Sequence, residues 1–293
     1  MLLRFARIIF RQTSPLPFLA LGCLLAACST GVTQETSGAP LVATAEIRPA
    51  AVPAPKKLSY NSVNTDQKVL ALTFDDGPHA TLTPKLLDLL KARRVKATFY
   101  VVGRNVELYP EIAKRIVREG HEIANHTWSH PTLTKLSAAK VSQEFTKTDD
   151  AIFKATGVRS TNMRPPYGAI NENVRQVAMK EFGYPTILWS VDPLDWKRPG
   201  SATVTRRLVD GASPGGILLA HDIHPGTIEA MPATIDQLLA QGYRFATVSE
   251  LLALDQSPAQ VAATPVPVPT VESATGLPGP GVKPAPRPAV TAP

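Results

Sequence analysis

Between about Asn61 and Leu254 the chain alternates short β-rich runs with helix-patterned segments, and no other feature restricts its folding as much. "KVLALTF" is followed by "TPKLLDLLKARR", in which Leu86, Leu87, Leu89 and Leu90 give one apolar helical face. "ATFYVVG" precedes "YPEIAKRIVREG", and "HEIANH" precedes a long helix from Ser137 to about Thr156 that Gly157 stops. "TNMR", "PTILWSV", "GGILLAH" and "RFATVSELL" complete seven strand candidates, each separated from the next by a helical segment. Alternation of this kind predicts a mainly parallel α/β architecture.

An open doubly wound sheet and a barrel both satisfy that pattern. The placement of polar residues separates them. Asp75 and Asp76, His126, Arg164, Asp192 and Asp195, and His221 all fall where strand candidates end. Barrels collect functional groups from many strand ends, whereas an open sheet concentrates them at one switch point. The expectation is therefore a distorted, incomplete (β/α) barrel of about seven parallel strands.

The flanks read differently. Residues 1–27 carry Arg4, Arg7 and Arg11 and then an apolar run from Leu16 to Ala27, the form of an export signal too short for a lasting membrane span. The run closes on Leu25-Ala26-Ala27-Cys28, which resembles a bacterial lipobox with Cys28 as the lipidated residue. An ordinary signal peptide with a chance cysteine is the alternative. Residues 28–60 read as a tether, 61–256 as the folded domain, and 257–293 as a Pro-rich disordered tail holding ten of the 28 prolines. Only Cys23 and Cys28 are present, so the domain has no disulfide and no thiolate ligand. Without Arg4, Arg7 and Arg11 the formal charge falls from +7 to +4, and no basic cluster with interleaved aromatics suggests nucleic acid.

Five segments carry chemistry. In "LTFDDGP" two adjacent carboxylates repel unless a cation binds one of them and leaves the other as a base, although in isolation a plain Asp-Gly turn is the better reading. "HTWSH" places His126 and His130 four residues apart, a spacing that suits either a metal pair or two structural loop residues. "MRPPYG" sets Arg164 before two prolines, which fixes its backbone and fits it to hold a carboxylate such as Asp75, or to serve a packing turn. "WSVDPLDW" offers a carboxylate to orient a histidine and, in Trp196, a flat wall for a sugar. Its other reading is core aromatics and capping aspartates. "GGILLAHDIH" ends a strand at His221, suited to general acid work if a carboxylate pairs with it, or else a structural histidine.

In this order and content, "TFDDG", "HTWSH", "RPPY", "DPLDW" and "LLAH" resemble the polysaccharide deacetylases, the NodB-homology domain of carbohydrate esterase family 4. The resemblance covers roughly Val69 to Leu252. It implies a deformed (β/α) barrel that removes acetyl groups from sugars with a divalent metal, usually zinc, with cobalt or nickel also suited to such donors. By resemblance Asp76, His126 and His130 bind the metal, Asp75 is the general base and Arg164 tunes it. His221 is the general acid, tuned by Asp195. Trp196 and Leu218 line the pocket for the acetyl methyl, and the Tyr167 N–H helps to hold the oxyanion.

The expected function is deacetylation of an acetylated envelope polysaccharide, with peptidoglycan N-acetylglucosamine as the leading substrate because an anchor at Cys28 would place the domain beside it. Chitin oligosaccharides, poly-N-acetylglucosamine and acetylxylan stay open. So do a non-catalytic carbohydrate-binding lipoprotein and a hydrolase for non-sugar amides. Ser29 after the cysteine lacks the aspartate of inner-membrane retention, so the outer membrane is favoured where two membranes exist.

Overall fold

The computed structural model describes residues 57–257. Seven strands run through them: β1 Ser59–Tyr60, β2 Val69–Asp75, β3 Thr98–Val101, β4 Glu122–Asn125, β5 Thr186–Ile187, β6 Ile217–His221 and β7 Arg244–Ala246. The helices are α1 Leu82–Arg93, α2 Gly103–Leu108, α3 Pro110–Arg118, α4 Ala138–Thr156, α5 Glu172–Phe182, α6 Ser201–Asp210, α7 Pro225–Ala240 and α8 Val248–Leu252.

β2 is buried along its whole length, as a parallel strand covered on both faces must be. One side of it pairs with β3, which pairs with β4. On that same side β7 takes Val69–Ala71, before the β3 pairing begins at Thr73, and β6 takes Ala71–Asp75 on the opposite side, all parallel. Single parallel bridges carry the wall onward, Asn125 to Met163, Met163 to Thr186, and Val191 back to Leu218 in β6. The result is a distorted (β/α) barrel whose wall thins to single bridges on one side.

Two expectations change in detail. "TNMR" contributes one bridging residue, Met163, and not a strand. Pro165 and Pro166 follow Arg164 directly, and residues without an N–H cannot extend a ladder. The seventh strand is instead β1, which pairs with β5 and lies in the segment assigned to the tether. Tyr60 is 2% exposed and belongs to the core, so the folded part reaches back at least to Lys57, whose N–H donates to the Tyr60 hydroxyl at 3.0 Å. The signal, Cys28, the rest of the tether and the tail from 258 onward lie outside the described residues.

Alternation along the strands divides the core. Leu70, Leu72, Phe74, Leu218 and Ala220 face the helices, packing on Leu86, Leu90, Met231 and Leu238. Val69, Ala71, Tyr100 and Ile217 face the barrel interior, which Val248 and Leu251 of α8 close from below. A capping box at Thr247 and Glu250 starts that short helix. Glu122 then locks it in place, accepting from Ser249 N–H (3.0 Å) and Ser249 Oγ (2.6 Å). With one end of the barrel plugged, chemistry is left to the carboxyl ends of the strands.

Candidate active site and metal centre

Those strand ends open on a cavity of about 400 Å3 lined by, among others, Asp75, Asp76, His126, His130, Tyr167, Trp196 and His221. β2 delivers Asp75, and the left-handed backbone at Asp76 (φ 75°) then turns the second carboxylate into the same cavity. The glycine that follows is required by space. A Cβ on Gly77 would lie 2.3 Å from the carboxylate of Asp222, which is buried directly behind the turn and accepts from Thr83.

Arg164 is fully buried beneath Asp75 and nearly all its donors are used. Its Nη1 donates to Asp75 Oδ1 and to Thr73 Oγ1, both at 2.7 Å. Its Nη2 and Nε reach the carbonyls of Leu188 (3.0 Å) and Ile187 (3.2 Å), and the guanidinium lies 4.1 Å from the centre of the Tyr100 ring. A permanently charged group held this firmly fixes the Asp75 carboxylate in place and leaves its second oxygen toward the cavity.

The loop after β4 presents the two histidines. Thr127 and His130 both have positive φ (69° and 58°), conformations that need external support. Asn125 supplies it: its Oδ1 accepts from Thr127 N–H at 2.9 Å, while its Nδ2 donates to Asp149 Oδ1 and to the Phe145 carbonyl in α4. Tyr184 donates to Asp149 from behind, and Glu144 clamps Ser129 through both carboxylate oxygens. None of these four supports announces itself in the sequence, because their partners are brought close only by packing α4 on β4.

The ring atoms face one another in a telling way. His126 Nδ1 lies 2.7 Å from the Arg164 carbonyl, which can only accept, so a neutral His126 turns an unprotonated Nε2 to the cavity. That Nε2 is 3.5 Å from Asp76 Oδ1 and 3.8 Å from Asp75 Oδ2, and His130 Nε2 is 3.1 Å from Asp76 Oδ1. Asp76 Oδ1 is buried without a well-formed hydrogen bond. Burial opposes its ionisation, yet the two histidines hold its carboxyl far below the usual carboxylate range. Three donor atoms converging within 4.8 Å around an unsatisfied anionic oxygen fit a divalent cation.

Facing this triplet is His221. Asp195 Oδ1 takes its Nδ1–H at 2.8 Å, and Asp195 Oδ2 accepts from its backbone N–H (2.8 Å) and from Thr227 Oγ1 (2.6 Å). Burial alone would lower the imidazole pKa. The Asp195 hydrogen bond and charge outweigh it, helped by Asp75 and Asp76, and raise it to about 9. His221 therefore holds a proton at neutral pH with its Nε2 free toward the cavity. The same bond lowers Asp195 against its own burial.

The pocket wall differs from expectation at one position. Leu218 lies fully buried among the residues facing the helices, and its neighbour Leu219 lines the cavity instead. Side chains alternate along β6, so the face that carries His221 carries Leu219. Trp196 (49% exposed) and Tyr167 (69% exposed) stand at the rim. Tyr167 has φ 62°, its hydroxyl lies 3.2 Å from His130 Nδ1, and no hydrogen bond engages its N–H among the described residues. Asp192 lines the cavity and caps its own turn, accepting from Leu194 N–H at 2.7 Å.

Fold and site together define a (β/α)-barrel protein whose strand ends gather three possible metal donors, an arginine-bound carboxylate and an aspartate-bound histidine. The polysaccharide deacetylase family profile matches residues 62–187. The peptidoglycan-N-acetylglucosamine deacetylase PgdA of Listeria monocytogenes is 47% identical over 184 residues, 63% of this chain and 39% of that protein. A peptidoglycan-N-acetylglucosamine deacetylase of Bacillus cereus is 41% identical over 196 residues, 65% of this chain and 91% of that protein. The peptidoglycan-N-acetylmuramic acid deacetylase PdaC of Bacillus subtilis is 43% identical over 190 residues, 65% of this chain and 40% of that protein. Its solved structure aligns with a TM-score of 0.61 at 42% identity, covering 64% of this chain and 92% of that one. This chain belongs to the polysaccharide deacetylase family. It spans about two fifths of the length of PgdA and PdaC, and its alignment covers 92% of the solved PdaC chain.

Proposed function

We propose that the domain hydrolyses the N-acetyl group of an envelope polysaccharide, with peptidoglycan N-acetylglucosamine as its substrate. One observation carries the reading: Asp75 tied to Arg164 and a protonated His221 tied to Asp195 open on the cavity that also holds the Asp76, His126 and His130 donors. Two relatives above 40% identity are named for that sugar, which supports the choice over chitin oligosaccharides, poly-N-acetylglucosamine and acetylxylan.

Asp76, His126 and His130 would hold a divalent cation, which when bound would supply the acidification of water and the polarisation of the acyl carbonyl. Zinc is the proposed ion, since two imidazoles and one carboxylate with open positions are its catalytic pattern, shared with cobalt and nickel. Asp75 takes the proton of the attacking water while Arg164 keeps the carboxylate aimed. The Tyr167 N–H donates to the carbonyl oxygen as negative charge develops there. His221 Nε2–H protonates the amine nitrogen as its bond to the acyl carbon breaks, and Asp195 steadies the imidazole throughout. Trp196 and Leu219 wall the methyl group. Acetate and a free amino sugar leave.

We further propose that Cys28 is lipidated and holds the domain on the envelope membrane, the outer one where two exist. Mass spectrometry of the N-terminal peptide and fractionation of Cys28→Ser test this. The activity itself is tested by acetate release from purified peptidoglycan, chitin oligomers and acetylxylan, before and after chelation and return of zinc. Release from peptidoglycan that fails with chelator and returns with zinc supports the reading. Release from acetylxylan alone, or glycan binding without any turnover and untouched by Asp75→Asn, overturns it.

A further inference from the structure

A second concavity lies at the other end of the barrel. β4 separates the two: His126 follows it into the catalytic cavity, whereas His121 precedes it. At about 3.3 Å per strand residue the two histidines are roughly 16 Å apart. Around His121 is an open pocket of about 470 Å3 walled by Lys91, Arg94, Lys96, Arg118 and Glu119.

Its charge is one-sided. Arg115 Nε donates to Glu119 Oε1 at 2.7 Å, while Glu119 Oε2 is buried without a hydrogen-bond partner among the described residues. Lys96 is paired with Glu250 at 2.6 Å, and the pocket's four cations face one carboxylate already committed to Arg115. Lys91, Arg94 and Arg118 are exposed, and among the described residues no hydrogen bond or ion pair engages their side chains. Lys91 and Arg118 sit in the last turns of α1 and α3, where positive charge offsets the helix dipole. That account does not reach Arg94 and Lys96, which lie beyond the helix end. Arg94 even occupies a left-handed position (φ 54°) that glycine usually takes.

His121 adds a directed donor. It is only 7% exposed, and its Nδ1 accepts from Ala97 N–H at 3.2 Å, so the proton of the neutral ring sits on Nε2. Burial lowers its pKa to about 4, which keeps the ring neutral, and no group among the described residues accepts from Nε2. Cationic side chains around a buried neutral donor suit a phosphate oxygen.

The chain also enters and leaves here. Lys57, the first described residue, donates to Ser257 Oγ at 2.9 Å and lies 3.8 Å from Asp255, just past α8. The same short helix reaches Lys96 through Glu250. Lys57, where the described chain begins, thus lies at the end that carries the basic pocket, and a membrane role for this end rests on the lipidation proposed for Cys28.

We propose that this pocket binds the phosphate of an anionic lipid headgroup, laying the closed end of the barrel on the membrane with the catalytic cavity facing away from it. A free phosphate ion offers the same chemistry, but the entry of the tether at this end selects the headgroup. Electrostatic attraction of this kind acts within a Debye length and weakens with salt.

Sedimentation of the chain lacking residues 1–28 with vesicles tests it, because this form carries no acyl chain. Binding is expected to vesicles holding about one third phosphatidylglycerol in phosphatidylcholine, and not to phosphatidylcholine alone. Arg94→Glu with Arg118→Glu should weaken it about tenfold or more, while Lys140→Glu with Lys147→Glu, an equal charge change on α4, should weaken it less than about threefold. Melting temperatures of both variants confirm that each is folded. Equal losses in the two variants would mean net charge alone and overturn the proposal. So would a lack of preference for anionic vesicles, or a shift of the His121 ring resonances by inorganic phosphate with no vesicle binding.

Discussion

Asp75 and His221 are register partners on the adjoining parallel strands β2 and β6, so their backbones reach the catalytic cavity side by side. Each side chain is then committed by a buried partner from elsewhere in the chain, Asp75 by Arg164 and His221 by Asp195. One pair stabilises a negative charge and the other a positive one. In the proposed reaction this sets an oriented carboxylate and a protonated imidazole on one cavity before any substrate binds, as acid–base catalysis needs.

The first prediction concerns the proton on His221. Its folded pKa of about 9 stands above the ordinary 6.5, so the acid form persists through neutral pH and is lost as pH rises through 9. The stability drawn from this pair follows the same sign: full below 6.5, and lost as pH climbs through 9. Asp195→Asn removes the charge that opposes burial and should bring the imidazole below 6.5. Turnover near pH 8 should then fall by about 10²–10⁴. Loading a cation at Asp76 should also lower the value, since the charge of Asp76 helps to raise it. A proton NMR titration of the His221 ring, with and without zinc, decides this. A ring titrating near 6.5 in the unsubstituted, metal-free protein would refute the assignment.

Arg164→Met is expected to be costly in two ways. It strands the Asp75 carboxylate in the interior, a loss of about 3–5 kcal/mol for a broken buried pair. It also frees the orientation of the base, so kcat should drop by more than KM rises. Arg164→Lys keeps the charge but loses the fork that reaches Thr73, Ile187 and Leu188, and should rescue less than half of the lost stability. Urea denaturation and steady-state kinetics on both variants check it. A lysine variant matching the original in stability would show that the guanidinium geometry is unimportant.

How much of this was legible in the sequence depends on the range of the interactions. The alternation that predicts the barrel is local, and so are the glycine stop after α4 and the extended backbone that Pro165 and Pro166 impose on Arg164. Those features hold. β1 escaped notice because two residues carry no periodicity, and Ser59–Tyr60 are a strand only because β5 lies beside them. Leu218 was placed in the pocket where Leu219 belongs, although counting by twos back from His221 would have found the correct face. The clamp of Asn125, Asp149, Tyr184 and Glu144 around the histidine loop was beyond reach, because it joins residues 15 to 35 apart in sequence through tertiary packing.

That clamp gives a prediction about metal affinity. Asn125 touches neither Asp76 nor the histidine rings, yet it holds Thr127 and, through Thr127 Oγ1, the backbone of His130. Asn125→Leu should reduce zinc or cobalt affinity by about 10–100-fold, the usual effect of removing an orienting group behind a ligand. Saturating cation should stabilise the unsubstituted domain by about 4 kcal/mol at a thousand times Kd, and the variant by less at the same concentration. Calorimetric titration together with thermal melts measures both. Unchanged affinity in a folded variant would show that the loop is rigid without Asn125.

The exchange of Leu218 for Leu219 is itself testable by acyl selectivity. Leu218→Ala opens a hole between the sheet and the helices and should cost about 2–5 kcal/mol. It leaves the catalytic wall alone, so the ratio of kcat/KM for N-propionyl over N-acetyl glucosamine substrates should stay fixed. Leu219→Ala enlarges the wall beside His221 and Trp196 and should raise that ratio by about 10–200-fold, the usual worth of one methylene in an apolar pocket. Competition between the two acyl substrates in one reaction gives the ratio directly and is insensitive to the fraction of folded enzyme. If Leu218→Ala shifts selectivity and Leu219→Ala does not, the pocket wall lies on the other face of β6.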